Sequence, residues 1–201
     1  MIACHSIQRI TNLDFSNYLL LPQYSHSFLK NEKQGFNQHK STTLKMQLGS
    51  LVDGIRTGGD VDMRHKLYPA AKKIAGALQA QFGWLLEKLE KQVSYTGIMQ
   101  YDAGKAKFEI PVKGRPDWDW PREFIVDLKV TGESVLNIDN MIKFMGYPNQ
   151  QFGYGKLSGV KTAFLLIYTT KTNEVLPLKR IPIGETNRFW EEKILKFGKA
   201  I

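Results

Sequence analysis

The apolar pattern of this chain changes period once, near Gln92, and that change limits the folds open to it. Before it, Leu44, Leu48, Leu51, Val52 and Ile55 recur at steps of three and four, and the run closes on Thr57-Gly58-Gly59. From about Met63 a second helical stripe follows, through Leu67, Ala70, Ala71, Ile74, Leu78, Phe82, Leu85, Leu86 and Leu89. Gly76 and Gly83 within it mark a bend or a close approach. After Gln92 the apolar residues alternate, which is the period of a strand and not of a helix. Segments 93–100 and 105–113 read as a hairpin about Asp102-Ala-Gly104, and 124–130, 162–170 and 175–182 as further strands. Ser134 marks the start of a helix running to Met145. Pro148 opens another, since proline is tolerated in a first helical turn, and a terminal amphipathic helix begins near Asn187. Residues 1–40, rich in Ser, Asn, Gln and His, read as an irregular arm with one short helix.

Helices first and mixed strands and helices after predict an α/β (α+β) fold, a central mixed β-sheet with flanking helices. No repeat or composition shift divides the 201 residues. One domain is expected, with an arm (1–40), a helical part (41–92) and a sheet-bearing core (93–201).

Charge narrows the partners. The chain carries 28 Lys+Arg against 19 Asp+Glu, a formal +9, with no long block of like charge. The excess must be spread over a folded surface, and nucleic acid, anionic lipid and acidic protein are the partners it fits. The single Cys4 excludes an internal disulfide framework and thiolate metal clusters, and suits a reducing compartment. No apolar run approaches a membrane span, and the first residues lack a signal-peptide pattern. A soluble, cytoplasmic protein is expected.

Within 124–130, Phe124, Val126, Leu128 and Val130 share one face, and Asp127 and Lys129 the other. Taken alone this describes a half-buried strand with a wet polar face. Asp117, ten residues before Asp127 and just after Gly114-Arg-Pro116, changes the reading, because a hairpin-like return would bring the two carboxylates together. Paired carboxylates repel unless a cation lies between them, and an oxygen-only pair suits Mg²⁺ or Mn²⁺. A lysine two positions further on could orient a water or stabilise charge building on phosphorus.

Gly114-Arg-Pro-Asp117, Asp127-Leu-Lys129 and Gln150-x-x-x-Tyr154, in this order, resemble the PD-(D/E)XK nuclease superfamily, in the branch of lambda exonuclease, the RecB nuclease domain and phage RecE-like exonucleases. The resemblance implies a restriction-endonuclease-like core. It implies Asp117, Asp127 and the Leu128 carbonyl as metal ligands, Lys129 as the catalytic lysine, and Gln150 and Tyr154 over the active site. It extends more weakly upstream. Ser25-His-Ser27-Phe-Leu-Lys30 resembles a Ser-x-Ser-x-Leu-Lys stretch of phage members, and Leu48-Gly49-Ser-Leu-Val-Asp53 a helix in which many relatives carry His at the last position. Asp53 is then a candidate outer or second-metal ligand, and Ser27, Lys30, Arg56 and Arg115 are candidate DNA contacts. Gln92 stands where some phage members have Glu, which places a second metal in doubt.

The resemblance implies a Mg²⁺-dependent (or Mn²⁺-dependent) deoxyribonuclease, by preference a double-strand exonuclease of phage or prophage type in recombination or DNA-end processing. Its implied partners are DNA, further copies of the chain and a single-strand annealing protein. The alternatives are an endonuclease or single-strand nuclease of the same superfamily, and an inactive basic DNA-binding module.

Other residues have plainer readings. His5, His26, His39 and His65 lack ligand spacing and read as surface or locally bonded groups. Trp118 and Trp120 read as packing ahead of base stacking. Gly153 and Gly155 are not part of a phosphate loop. Lys72, Lys73, Lys88 and Lys91 read as a solvated face, or alternatively as a DNA-tracking stripe.

Overall fold

The computed structural model describes residues 1–11, 13, 15–30 and 43–201. Two sheets carry the chain. The first has the order β1-β3-β4-β10, from β1 (Ile2–Ile10), β3 (Ser94–Asp102), β4 (Lys107–Gly114) and β10 (Lys199–Ala200). The second runs β2-β5-β6-β7-β8, with β9 also paired to β7; these are β2 (Glu90–Lys91), β5 (Trp118–Trp120), β6 (Phe124–Thr131), β7 (Thr162–Thr169), β8 (Glu174–Val175) and β9 (Lys179–Pro182). Among the named strands of the described residues, β6 and β7 alone pair in parallel, Asp127 opposite Leu165 and Lys129 opposite Ile167. A parallel pair needs a crossover. It is supplied by a 3-10 turn (Val135–Asn137), α5 (Ile138–Met145) and α6 (Tyr147–Ser158).

The two faces of β6 and β7 are buried against different helices. Val126, Leu128, Leu166 and Tyr168 meet Val52 of α3 (Leu44–Thr57) and Ala71, Ile74 and Leu78 of α4 (Tyr68–Leu86). On the other face Leu165 and Ile167 pack with Ile138 and Ile142 of α5. A second core fills the space between the first sheet, α6 and α7 (Arg188–Phe197), with Phe152, Leu157, Trp190 and Ile194 against Tyr95, Met99, Ile110 and Val112. Two short helices, α1 (Phe15–Leu20) and α2 (His26–Lys30), bring the N-terminal segment against these elements, and Leu29 is fully buried there.

Several boundaries differ from the sequence reading, each for a local reason. The segment read as an irregular arm forms β1. Its alternation is broken by a register shift between His5 and Gln8, with Ser6 left-handed at φ 52°, so one extra residue hides the period of two. The long helix begins at Tyr68, not near Met63, because Pro69 fits only a first turn. It ends at Leu86, so Lys88 and Lys91 lie beyond it, while Leu89 still reaches the same core. Gly76 and Gly83 leave it unbroken. Ser134 does not cap α5 with its side chain. The last predicted strand is split into β8 and β9, and β10 follows α7. Asn187 caps α7 by accepting from the Trp190 N–H.

Candidate active site

In the β5–β6 ladder Trp118 pairs with Val126 and Trp120 with Phe124, so Asp117, one residue before β5, stands across from Asp127. The ladder ends there because Pro116, the next residue back, has no N–H to donate. The Leu128 N–H donates to the Asp117 carboxylate, 2.6 Å from Oδ2. Trp118 points the other way and is fully buried in the α3–α4 core, whereas Trp120 is 40% exposed. The packing reading therefore holds for Trp118.

The polar face of β6 is largely covered, Lys129 keeping 15% side-chain exposure. Asp127 is 3% exposed, its Oδ2 paired with the Lys129 ammonium and accepting from Gln151 Nε2 at 3.0 Å. Lys129 lies 4.9 Å from the centre of the Tyr147 ring. Burial alone would lower the Lys129 pKa, but Asp127 and Asp117 outweigh it and hold the group above its ordinary range. Lys129 is thus a standing ammonium at neutral pH.

Asp53 arrives from α3. Gly49, one turn earlier, leaves only van der Waals room for a Cβ against Val130 of β6, which lets the helix lie close to the strand. Asp53 Oδ2 accepts from Gln92 Nε2 at 3.0 Å, while Oδ1 is buried without a hydrogen-bond partner among the described residues. Burial and then the charge of Asp127 push the Asp53 pKa up to about 6. Asp117 is raised well above its ordinary value by burial, Asp53 and Asp127. The three acids sense one another.

Gln92 knits this corner together. Its side chain also donates to Thr57 Oγ1 (2.7 Å) and accepts from Arg115 Nη2 (2.5 Å), and its N–H bonds the Asp117 carbonyl at 2.8 Å. It is held at φ +49°, a left-handed conformation that non-glycine residues rarely adopt.

From the opposite side comes α6. Gln150 Nε2 donates to the Tyr154 hydroxyl at 2.9 Å, and the Tyr154 pKa is raised first by burial and then by Asp127. It is Gln151, not Gln150, that touches Asp127. Gly153 and Gly155 let Trp190 and Ile183 press on this helix, which accounts for glycines that bind no phosphate loop.

A cleft of about 260 Å³ opens over these groups, lined by Tyr18, Ser25, His26, Ser27, Asp53, Gln92, Arg115, Asp117 and Tyr154 among others. Of the candidate residues, Asp53, Asp117, Tyr154, Ser27 and Arg115 line it; Gln150 joins through its bond to Tyr154, while Asp127 and Lys129, paired with each other, are not part of its lining. Arg56 is not, since its guanidinium turns onto Gln79 of α4. Lys30 donates to the Met145 carbonyl at 2.5 Å, at the C-terminal end of α5.

Of the four histidines, His5 pairs with Glu109 on the surface, and His65 accepts from the Leu67 N–H. His26, read as a surface or locally bonded group, is 7% exposed and lines the cleft. His39 lies outside the described residues. Lys72, Lys73, Lys88 and Lys91 are exposed and away from the cleft.

Two further residues carried no sequence signal. Tyr95 donates to Asp119 Oδ2 at 2.6 Å, and Arg9 reaches the same oxygen at 3.2 Å, so a buried carboxylate two residues past Asp117 ties β5 to the first sheet.

Among the described residues no three His, Cys, Asp or Glu side chains are gathered closely enough to hold a metal ion outright. The donor chemistry nevertheless fits a hard divalent cation: three mutually repelling carboxylates, Asp127 buried and Asp53 and Asp117 half-buried, with one Asp53 oxygen unpartnered among the described residues.

No protein-family model and no curated protein matches the sequence. Among solved structures, the chain shares its fold with a protein of Eubacterium rectale named as a candidate exonuclease. The TM-score is 0.53 and the identity 20%, over 84% of this chain and 68% of that one. A phage related exonuclease from Haemophilus somnus 129PT superposes with a TM-score of 0.42 at 15% identity, over 90% of this chain and 92% of that one. The fold is the mixed α+β arrangement expected from the sequence. No helix among the described residues is long and apolar enough to cross a membrane.

Proposed function

We propose that the chain is a divalent-metal-dependent nuclease that hydrolyses phosphodiester bonds in DNA, acting by preference as a double-strand exonuclease. The observation that carries this reading is the placement of Asp117 across from Asp127, with Lys129 against Asp127, beneath a polar cleft in a chain of net charge +9. The exonuclease preference draws on the sequence resemblance and on the name of the Eubacterium rectale protein that shares the fold.

Asp117, Asp127 and the Leu128 carbonyl would hold Mg²⁺, with Asp53 as a further carboxylate. When bound, the ion polarises a phosphoryl oxygen and acidifies a water. The chain's own groups do the rest by position. Lys129, held protonated by Asp127 and Asp117 in the metal-free chain, stands where it can activate or orient the water or stabilise charge on the phosphoryl oxygens. Gln150 and Tyr154 form a hydrogen-bonded pair on one helical face that can fix the attacking water or the scissile strand. Arg115, braced by Gln92, faces the cleft as a cation for a phosphate.

The test is digestion in Mg²⁺ of linear and closed circular duplex DNA by the wild type and by Asp127→Ala. Loss of linear DNA with the circle intact, abolished by the substitution, is the expected result. Cutting of the circle points to an endonuclease.

A second reading, a DNA-binding module with a silent site, is favoured by the engagement of Asp127 with both Lys129 and Gln151 and by the neutral Gln92. It predicts salt-sensitive binding by both proteins and hydrolysis by neither.

A further inference from the structure

By the alternation of β4, Lys113 stands on the face away from Ile110 and Val112, which enter the core beside α6 and α7. A lysine so placed ordinarily reaches water, yet Lys113 is 8% exposed. Its ammonium turns onto the end of α1, where Nζ donates to the carbonyls of Tyr18 (3.1 Å), Leu19 (3.1 Å) and Leu21 (2.7 Å). An ammonium has three N–H groups, so each meets a carbonyl oxygen and none is left for a phosphate. The last carbonyls of a helix have no partner within it and form the negative end of its dipole, which favours a cation there.

Backbone bonds continue the attachment. The Tyr24 N–H donates to the Pro111 carbonyl at 3.0 Å, and the Lys113 N–H to the Tyr24 carbonyl at 2.9 Å. Further along, Leu29 is fully buried in the same core as Ile110 and Val112. The segment 18–29 is thus a strap fastened at both ends, and its Tyr18, Leu19, Ser25, His26 and Ser27 form one wall of the cleft.

The two fastenings differ in kind. Leu29 holds its end by apolar burial. At the other end Leu19 and Leu20 are exposed, so burial there comes from Tyr18 and the hold from Lys113. The two touch: Nζ lies 5.0 Å from the centre of the Tyr18 ring, and the Arg115 guanidinium lies 5.8 Å from the same ring. The clamp therefore fixes the wall against the stretch of chain that carries Arg115 and Asp117.

We propose that Lys113 is a positioning residue that clamps this strap to β4, and so sets how tightly the cleft holds a polymeric substrate without touching that substrate. That the substrate is DNA rests on the nuclease reading above. The clamp itself rests on the contacts of Lys113.

Lys113→Met keeps the length of the side chain and removes its three donors. Amide hydrogen exchange at Tyr24 and at position 113 should quicken about tenfold or more, while that of β6 and β7 stays as in the wild type. Affinity for a short linear duplex in EDTA should fall about tenfold; in Mg²⁺ KM should rise while kcat stays within about twofold, because the carboxylates and Lys129 do not move. Lys113→Arg keeps the charge on a planar fork that cannot meet three oxygens about one point. It should shift exchange and affinity in the same direction, and it serves alone if the Met variant fails to fold. In the wild type, reductive methylation should reach Lys113 far more slowly than the exposed Lys72 and Lys73, with or without DNA.

Wild-type exchange at Tyr24 in a folded variant overturns the clamp. So does a Lys113 that is methylated as fast as Lys72 and is shielded by added duplex, since that is the behaviour of a phosphate contact. Exchange and methylation of the free protein need no substrate, which keeps the two readings separable. A wild type that cuts DNA, with Tyr24 exchanging alike in both proteins, loses only the clamp; one that neither binds nor cuts, with the exchange difference present, loses only the nuclease reading.

Discussion

Asp117 lies directly across the β5–β6 ladder from Asp127, and the two carboxylates are held apart in their partners: one takes the Leu128 N–H, the other the Lys129 ammonium and the Gln151 amide. Removing either charge of a buried pair strands the other. Asp127→Ala should therefore lower stability by about 3 kcal/mol as well as reduce hydrolysis on the order of 10³-fold. The double variant Asp127→Ala/Lys129→Met should regain most of the stability and none of the activity. Urea unfolding beside a DNA digestion assay separates the two effects; a double variant as unstable as the single one would show that the pair is not what holds this corner.

The acids also set a pH dependence. Asp53 titrates near 6 in the fold against an ordinary 3.8, and Asp117 is raised in the same direction. Between the two Asp53 values the folded state binds more protons than the unfolded chain, so these groups make the metal-free protein less stable as pH rises from about 4 to 6. A divalent cation stabilises the ionised form and competes with those protons. Mg²⁺ should raise the melting temperature clearly at pH 7.5 and hardly at all at pH 4.5. Equal shifts at both pH values would mean that these carboxylates do not take the ion.

How much of this was legible in the sequence depends on whether the signal was periodic. The alternation about Asp127 and Lys129 and the hairpin-like return that sets Asp117 beside Asp127 could be read directly, because a strand's two faces and the Gly-Arg-Pro turn before Asp117 are local facts. The helical stripe ending at Gly58 was equally plain, and Gly58 does close α3 in the left-handed conformation. β1 was not, because a bulge displaces its pattern by a residue. Nor was the role of Gln151, one position from the glutamine that the motif singles out, because which of two adjacent helical residues meets Asp127 depends on how α6 is rotated by Trp190 and Ile183. His26 was hidden for a similar reason. Its burial comes from α6 and α7, more than a hundred residues away, and its spacing from other histidines says nothing about them.

Gln92 supplies a sharper test of the metal chemistry. Its amide is the donor that Asp53 and Thr57 accept from and the acceptor that Arg115 uses. Gln92→Glu keeps the contact to Arg115 but faces Asp53 with a like charge. In EDTA the loss should be about 1–2 kcal/mol, or several degrees in melting temperature for a chain of this size. With Mn²⁺ present the order should reverse, the variant gaining more stability and titrating with a larger ion stoichiometry by calorimetry. An unchanged stoichiometry would indicate that this corner does not reach a second ion.

Tyr154 depends on a glycine that lies 40 residues earlier in the chain. A Cβ on Gly114, at the end of β4, would come within 2.7 Å of Tyr154 Cδ1 and 3.1 Å of Leu157 Cδ1, too close for the ring to stay where Gln150 holds its hydroxyl. Overpacking of this kind costs about 1–3 kcal/mol. Gly114→Ala should accordingly displace the Tyr154 ring from the cleft while the sheet, including the Tyr95–Gly114 pair, persists. The expected signature is a fall in kcat similar to that of Tyr154→Ala, with far-UV circular dichroism unchanged. The double variant Gly114→Ala/Tyr154→Ala should be no slower than Tyr154→Ala alone, since the clash and the hydroxyl disappear together. Additive losses would place the effect of Gly114 elsewhere, in the turn that delivers Asp117.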